Sequence, residues 1–221
     1  MRRLGKNGLA MAGVVALTLV LTAVAAGDGA LPGDLALARA VQRLDYRAAD
    51  AIDQVGYWLG AVWVVVAVGG ALAMLLALTR RWAEAAVMLG VVLARALNPL
   101  LKWLIASPRP TAEEVRVSEL ASNYGFPSGH VMGVVLVYGA GIALAQRLVE
   151  PRWPRLALQS LCAVAILITC FARVHSGAHW PSDVLGAWLW GSLAAIAIVT
   201  IAQRPWNVLS LPATRPARTI N

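Results

Sequence analysis

The sequence predicts an all-α protein, a polytopic membrane bundle of six transmembrane helices with one amphipathic helix on the extracytoplasmic side. Two observations support this expectation. The chain of 221 residues is 59% hydrophobic and has a mean hydropathy of +0.68, outside the range of ordinary soluble domains. Its apolar runs are also close to the roughly 20 residues that span a bilayer. Because these runs occupy most of the chain, we expect one integral-membrane domain over residues 1–221.

The first apolar run, residues 8–27, follows a short basic stretch. Two interpretations of this run are open. It is long enough for a transmembrane helix, and its Ala23-Val24-Ala25 resembles the Ala-x-Ala cleavage site of a signal peptide. Because the run is longer than a typical signal-peptide core, we expect an uncleaved helix.

Residues 29–54 form an amphipathic segment. Apolar residues from Leu35 to Ala48 recur at helical spacing, and arginines and aspartates stand between them. This pattern predicts a helix at the membrane surface. The segment is either a spacer or lid, or it shapes the entrance for a lipid.

Later apolar runs predict the remaining spans, which cover residues 57–79, 82–106, 128–148, 156–172 and 184–202. Pro99 is expected to kink the second of these, just before Lys102. Cys162 and Cys170 lie on one helix, about 12 Å apart, which is too far for a disulfide.

Basic residues are unevenly divided between the two sides of this arrangement. The loops on the side of the N-terminus hold eleven of them against two acidic residues, and the opposite loops hold seven against nine. We therefore expect a multi-pass protein of the cytoplasmic (inner) membrane. The positive-inside rule places both of its termini in the cytoplasm and the stretch 171–183 on the outer side. Since the net charge of +8 is spread over short loops rather than one basic face, we expect no nucleic-acid partner.

Ionisable residues are concentrated in the stretch 171–183, between the last two spans. Such residues at a membrane boundary mark a functional site by default. Asp183 lies close enough to His179 to hold its imidazole by one nitrogen and leave the other free to attack. His175, His179 and Asp183 would suit a metal if they were helical, but Gly177 and Pro181 argue against a continuous helix, so we expect no metal.

Two further polar clusters fall on the same predicted side of the membrane. Lys102 and Arg109 are two cations that could clamp a phosphate. Ser128, Gly129 and His130 open a helix, whose free N–H groups favour an anion. Taken alone, the two cations are equally typical of a helix end anchored at lipid headgroups, and the second cluster could be an ordinary helix cap with a surface histidine.

Together these residues resemble the three-part signature of the type 2 phosphatidic-acid phosphatase superfamily, which includes vanadium haloperoxidases and undecaprenyl-pyrophosphate phosphatases. The matching spacings are six residues between Lys102 and Arg109, five between Arg173 and His179, and three between His179 and Asp183. Ala172 departs from the family pattern, which often has serine there. The match lies within residues 102–183.

The resemblance implies a role for each residue. His179 would be the nucleophile, with Asp183 orienting it and His130 serving first as acid and then as base. The remaining residues would bind phosphate, and no cofactor would be needed; they are Lys102, Arg109, Ser128, Gly129 and Arg173.

The function expected from this resemblance is hydrolysis of a lipid phosphate or pyrophosphate at the outer face of the membrane. Undecaprenyl pyrophosphate, phosphatidylglycerol phosphate and phosphatidic acid fit equally well. Two alternatives are a vanadate-dependent haloperoxidase, which six apolar spans argue against, and a membrane transporter or scaffold that keeps only the anion site.

Overall fold

The computed structural model describes residues 6–44, 48–119 and 123–202. Over these ranges every regular element is an α-helix, which confirms the expected fold class. In chain order the helices are α1 (Lys6–Asp28), α2 (Asp34–Gln42), α3 (Ala49–Gly60), α4 (Val62–Leu78), α5 (Trp82–Ala94), α6 (Leu97–Ile105), α7 (Gly129–Leu148), α8 (Arg152–His175) and α9 (Pro181–Ala202).

Five segments have the length and hydropathy of membrane spans: α1, α5 continued by α6, α7, α8 and α9. Helices α3 and α4 meet at an angle of 53° at Ala61 and satisfy the same criteria only as a pair. The described part of the chain therefore holds up to six candidate spans, if this bent pair counts as one.

The structure divides the segment 29–54, which we expected to be one amphipathic helix. Helix α2 covers only Asp34–Gln42, and Ala49 already begins α3. Helix α3 packs against α8 so closely that a Cβ on Gly56 would lie 2.9 Å from the carbonyl oxygen of Ile168. An apolar stripe facing a neighbouring helix has the same period as one facing lipid headgroups, so the sequence did not distinguish them.

The break in the span that contains Pro99 agrees with the sequence, whereas the ends of α8 differ from the expected ones. The chain turns at Arg95 and Ala96, between α5 and α6, because Pro99 cannot donate to the carbonyl four residues earlier and its ring crowds that carbonyl. Helix α8 extends beyond the expected 156–172 at both ends. Its first turn includes Pro154, in a position that tolerates proline.

Helix α7 lies at the centre of the bundle, in contact with α3, α4, α5, α6, α8 and α9. Because neighbours cover it on all sides, Met132, Val134 and Leu136 are fully buried. Small residues permit this approach, as at Gly60, where a Cβ would lie 2.7 Å from that of His130. The packing fixes the first turn of α7 relative to the surrounding helices.

Helix α2 fastens the ends of other elements together. The buried Asp34 carboxylate accepts hydrogen bonds from the Ser182 backbone N–H (2.9 Å), the Ser182 hydroxyl (2.5 Å) and the Leu31 N–H (2.7 Å). At the other end of α2, the Gln42 side-chain amide donates to the carbonyls of Arg116 and His175. Helix α2 thus caps the start of α9 and connects it to the loop between α6 and α7.

Replacing Asp34 with alanine should lower the thermal stability of the purified protein. The change leaves the buried Ser182 N–H without its acceptor, at a cost of about 1–3 kcal/mol. For a chain of this size that corresponds to a fall in Tm of roughly 2–4 °C for each kcal/mol. Asp34→Asn keeps one acceptor oxygen and should lose less. An unchanged Tm for Asp34→Ala in detergent would contradict this role for Asp34.

Candidate active site

The C-terminal ends of α6 and α8 meet the N-terminal ends of α7 and α9 at one end of the bundle, around a cavity of about 460 Å³. The three sequence clusters converge here, although they lie far apart in the chain. Six of the eight expected site residues line the cavity: Lys102, Arg109, Gly129, His130, Arg173 and His179. Ser128 and Asp183 lie behind this lining, and both are fully buried.

His179 and Asp183 form a buried pair. The Asp183 Oδ2 lies 3.1 Å from His179 Nδ1 and also accepts a hydrogen bond from the Trp180 N–H. The main-chain carbonyl of Asp183 accepts from the Ser128 N–H at 3.1 Å, which joins the starts of α7 and α9. If Nδ1 carries the proton that it donates to Asp183, the Nε2 lone pair of His179 remains available on the cavity side.

The environment of His179 keeps its imidazole neutral. Burial is the largest cause, and the cations Arg109, Lys102 and Arg173 act in the same direction, so the pKa of His179 lies well below 6.5. Nε2 is therefore unprotonated at neutral pH, and it gains a proton only when the pH falls through this lowered pKa. A buried neutral histidine with a free nitrogen is suited to nucleophilic attack.

Arg109 and Lys102 hold the loop that covers the site. The Arg109 guanidinium donates to the carbonyls of Asn123 and Ala178, and one of its nitrogens lies 3.2 Å from His179 Nε2. The Lys102 ammonium donates to the carbonyls of Tyr124 and Gly125. Arg109 is thus fixed beside Nε2 of His179, and Lys102 lines the same cavity, where an anion would contact both cations.

Arg173 is almost completely buried and forms an ion pair of 2.7 Å with Glu119. Its Nε is buried and makes no hydrogen bond to any residue that the structure describes. Glu119 also lines the cavity, so its carboxylate and a bound phosphate would compete for the same guanidinium. We expect the Glu119 ion pair to loosen when an anion binds.

His130 lies in the first turn of α7, with its ring 5.2 Å from that of Tyr57 and its side chain close to Gly60. Its Nε2 is buried and has no partner among the described residues. Ser128 occupies the N-cap position as expected, but its hydroxyl makes no capping bond and does not reach the cavity lining. A contact between Ser128 and phosphate therefore stays a prediction.

His175 belongs to a separate network. Its Nδ1 lies 2.8 Å from Asp53 of α3, and its Nε2 lies 3.1 Å from the Arg116 guanidinium. The turn that follows reverses the chain at Gly177, whose φ of +69° favours glycine, and a Cβ there would clash with the Arg116 carbonyl. His175 and His179 consequently face different partners, and among residues 6–44, 48–119 and 123–202 no group of three potential ligands could hold a metal ion.

Three residues around the site did not emerge as site candidates from the sequence. Asp34 and Glu119 each resemble ordinary acidic residues of a polar segment, and no local spacing connects them to Ser182 or Arg173. Arg95 also lines the cavity. The sequence did contain a signal for Arg95, because an arginine within an apolar span marks a functional site by default.

The fold and the site define a class: an all-α membrane bundle with a cavity lined by cations and two histidines at one end. The model of the PAP2 superfamily matches residues 83–207, more than half of the chain, and this chain belongs to that superfamily. This confirms the resemblance inferred from the sequence clusters.

Two known proteins are similar to part of the chain. The chain is 29% identical to the undecaprenyl-diphosphatase of Sulfolobus acidocaldarius over 50% of each chain. It is 30% identical to a putative undecaprenyl-diphosphatase of Escherichia coli over 60% of this chain and 65% of that one. The matches thus span half to two thirds of these relatives.

The fold is shared with a solved structure. The crystal structure of a transmembrane PAP2-type phosphatidylglycerolphosphate phosphatase from Bacillus subtilis superposes with a TM-score of 0.69. The alignment covers 86% of this chain and 94% of that one at 22% identity. The bundle of membrane-spanning helices is therefore common to both.

Proposed function

We propose that this protein hydrolyses a lipid phosphate monoester or diphosphate through a phosphohistidine on His179, without a metal ion. One observation carries the proposal: His179 Nε2, oriented by Asp183 on the opposite nitrogen, faces a cavity that Lys102, Arg109 and Arg173 also line. A nucleophile beside several fixed cations is what phosphoryl transfer requires, since its catalysis depends on positioning and charge stabilisation.

In the first step, His179 Nε2 attacks phosphorus and the bond from phosphorus to the leaving oxygen breaks. The negative charge on the equatorial oxygens is stabilised by Lys102, Arg109 and Arg173. The Asp183 carboxylate stabilises the positive charge that develops on the imidazole. His130, whose Nε2 has no partner among the described residues, donates a proton to the leaving oxygen.

In the second step, water attacks the phosphohistidine. His130 now removes a proton from that water, the bond between phosphorus and Nε2 breaks, and inorganic phosphate leaves. His179 returns to its neutral form, which its lowered pKa favours. The same two histidines thus complete the cycle.

A lipid is the substrate class that suits the position of the cavity. Trp103 lines the cavity and is 71% exposed, and the neighbouring Leu100 and Leu104 are exposed as well. In a bilayer this apolar surface faces hydrocarbon, so a lipid could enter sideways and keep its chain in the membrane. The names of the relatives support polyprenyl diphosphates and phosphatidylglycerol phosphate as candidates.

We further propose that both termini are cytoplasmic and that the cavity opens on the outer face, as the distribution of basic residues indicates. A reporter fused after the C-terminal residue should be active only in the cytoplasm. Activity of an alkaline phosphatase reporter at the same position, which requires export from the cytoplasm, would contradict this orientation.

Replacing His179 with alanine should abolish phosphate release from every lipid that the wild type hydrolyses, because it removes the proposed nucleophile. Phosphate release by the wild type should persist in chelator. His175→Ala is the matched control, since His175 is equally buried but faces Asp53 and Arg116.

The control variant should lose stability but retain turnover per folded molecule. Size-exclusion chromatography would establish the folded fraction of each variant. Full activity of His179→Ala, or an equal loss of turnover in folded His175→Ala, would contradict these assignments. Halide oxidation with vanadate but without phosphate release would favour the haloperoxidase alternative.

A further inference from the structure

Arg95 is a cation in the cavity for which the mechanism has no role. It follows α5 within the span Trp82–Ile105, at the turn into α6, and it lines the cavity together with Asn98 and Lys102 of α6. Its Nε is buried, and within the described ranges Arg95 forms neither an ion pair nor a hydrogen bond through its side chain.

An arginine in this position is costly to the fold. A charge within a membrane span normally has a partner, and one without a partner implies a ligand or a functional role. Lys102, Arg109 and Arg173 each bind a carbonyl or a carboxylate of the protein. Arg95 differs from them because, within the described ranges, its guanidinium lines the cavity without binding a carbonyl or a carboxylate.

The guanidinium of Arg95 lies against the first turn of α7. A Cβ on Gly129 would be 3.9 Å from an Arg95 terminal nitrogen, and a Cβ on Gly133 would be 3.4 Å from its Nε. This position is beside His130, the proposed acid for the leaving group. Arg109, in contrast, contacts His179 itself at 3.2 Å. Arg173 and Arg95 are thus the cations that act most strongly on His130, and within the described ranges Arg173 is paired with Glu119 whereas Arg95 has no side-chain partner.

In-line attack places the leaving oxygen on the side of phosphorus opposite to His179. If the leaving group is an alcohol, this oxygen is bonded to an alkyl carbon, which cannot accept a hydrogen bond from a guanidinium. If the leaving group is a phosphate, its oxygens reach the region of Arg95. Four cations and one carboxylate line the cavity, a balance that favours the more highly charged diphosphate.

We propose that Arg95 binds the lipid-linked phosphate of a lipid diphosphate, so that the preferred substrates are diphosphates rather than monoesters. This inference rests on the proposed function. His179 attacks the terminal phosphorus, and the bond to the bridging oxygen breaks. The electron pair stays on that oxygen, which takes the proton of His130. The product is a lipid monophosphate whose charge Arg95 stabilises.

The first test compares farnesyl diphosphate and farnesyl monophosphate as substrates for the wild type and for Arg95→Gln in detergent. The variant should lose roughly 10- to 100-fold in kcat/KM for the diphosphate and less than about 3-fold for the monophosphate. Arg95→Lys should be intermediate, because it keeps the charge but not the planar fork. Arg147→Gln, at the exposed far end of α7, is the control.

Equal losses for the two substrates, or no loss for either, would overturn the proposal. A second test measures binding without turnover, using inorganic pyrophosphate and orthophosphate with the His179→Ala variant. Pyrophosphate should bind more tightly than orthophosphate. Adding Arg95→Gln should reduce the ratio of the two affinities by roughly tenfold or more. Unchanged pyrophosphate affinity would contradict the role of Arg95.

The two tests separate the possible failures. If the wild type released phosphate from neither farnesyl compound nor any other lipid, the proposed function would fail, while the pyrophosphate titration would still decide what Arg95 binds. If the wild type hydrolysed the monophosphate and the diphosphate with equal kcat/KM, and did so through His179, the proposed function would stand and the inference about Arg95 would fall.

Discussion

The site depends on how the N-terminus of α9 is held. Asp183 orients His179 with its carboxylate and binds the Ser128 N–H of the neighbouring helix with its carbonyl. Ser182, one residue earlier, is anchored by Asp34 of α2. These contacts join segments from distant parts of the chain at one point. Because a nucleophile misplaced by about 1 Å can lose a large part of its rate, this junction determines whether the cavity is a catalytic site.

The cations of the cavity contribute to the fold and to the proposed chemistry at once. Lys102 and Arg109 bind backbone carbonyls of the loop between α6 and α7, and Arg173 binds Glu119 of the same loop. The described parts of this loop, residues 106–119 and 123–128, are thus held by the charges that would later bind phosphate. Arg95 has no such protein partner within the described ranges, which separates its role from theirs.

Much of the fold follows from the sequence because a bilayer permits few solutions. Backbone polar groups must be paired within lipid, so long apolar runs form helices, and the predicted spans agree with α1, α7 and α9 within a few residues. Local chemistry also places Lys102, His130 and His179 near helix ends. The bend at Ala61 and the partners of Asp34, Glu119 and His175 arise from packing between distant segments, which leaves no periodic pattern in the sequence.

The most direct measurement is to identify the residue that carries phosphate during turnover. A lipid substrate with a labelled terminal phosphate, quenched under alkaline conditions that preserve phosphohistidine, can be followed by mass spectrometry of the peptides that contain His130, His175 and His179. The proposed mechanism predicts the label on His179 and none in the His179→Ala variant. Steady release of phosphate with the label on His130, or with no labelled histidine, would contradict it.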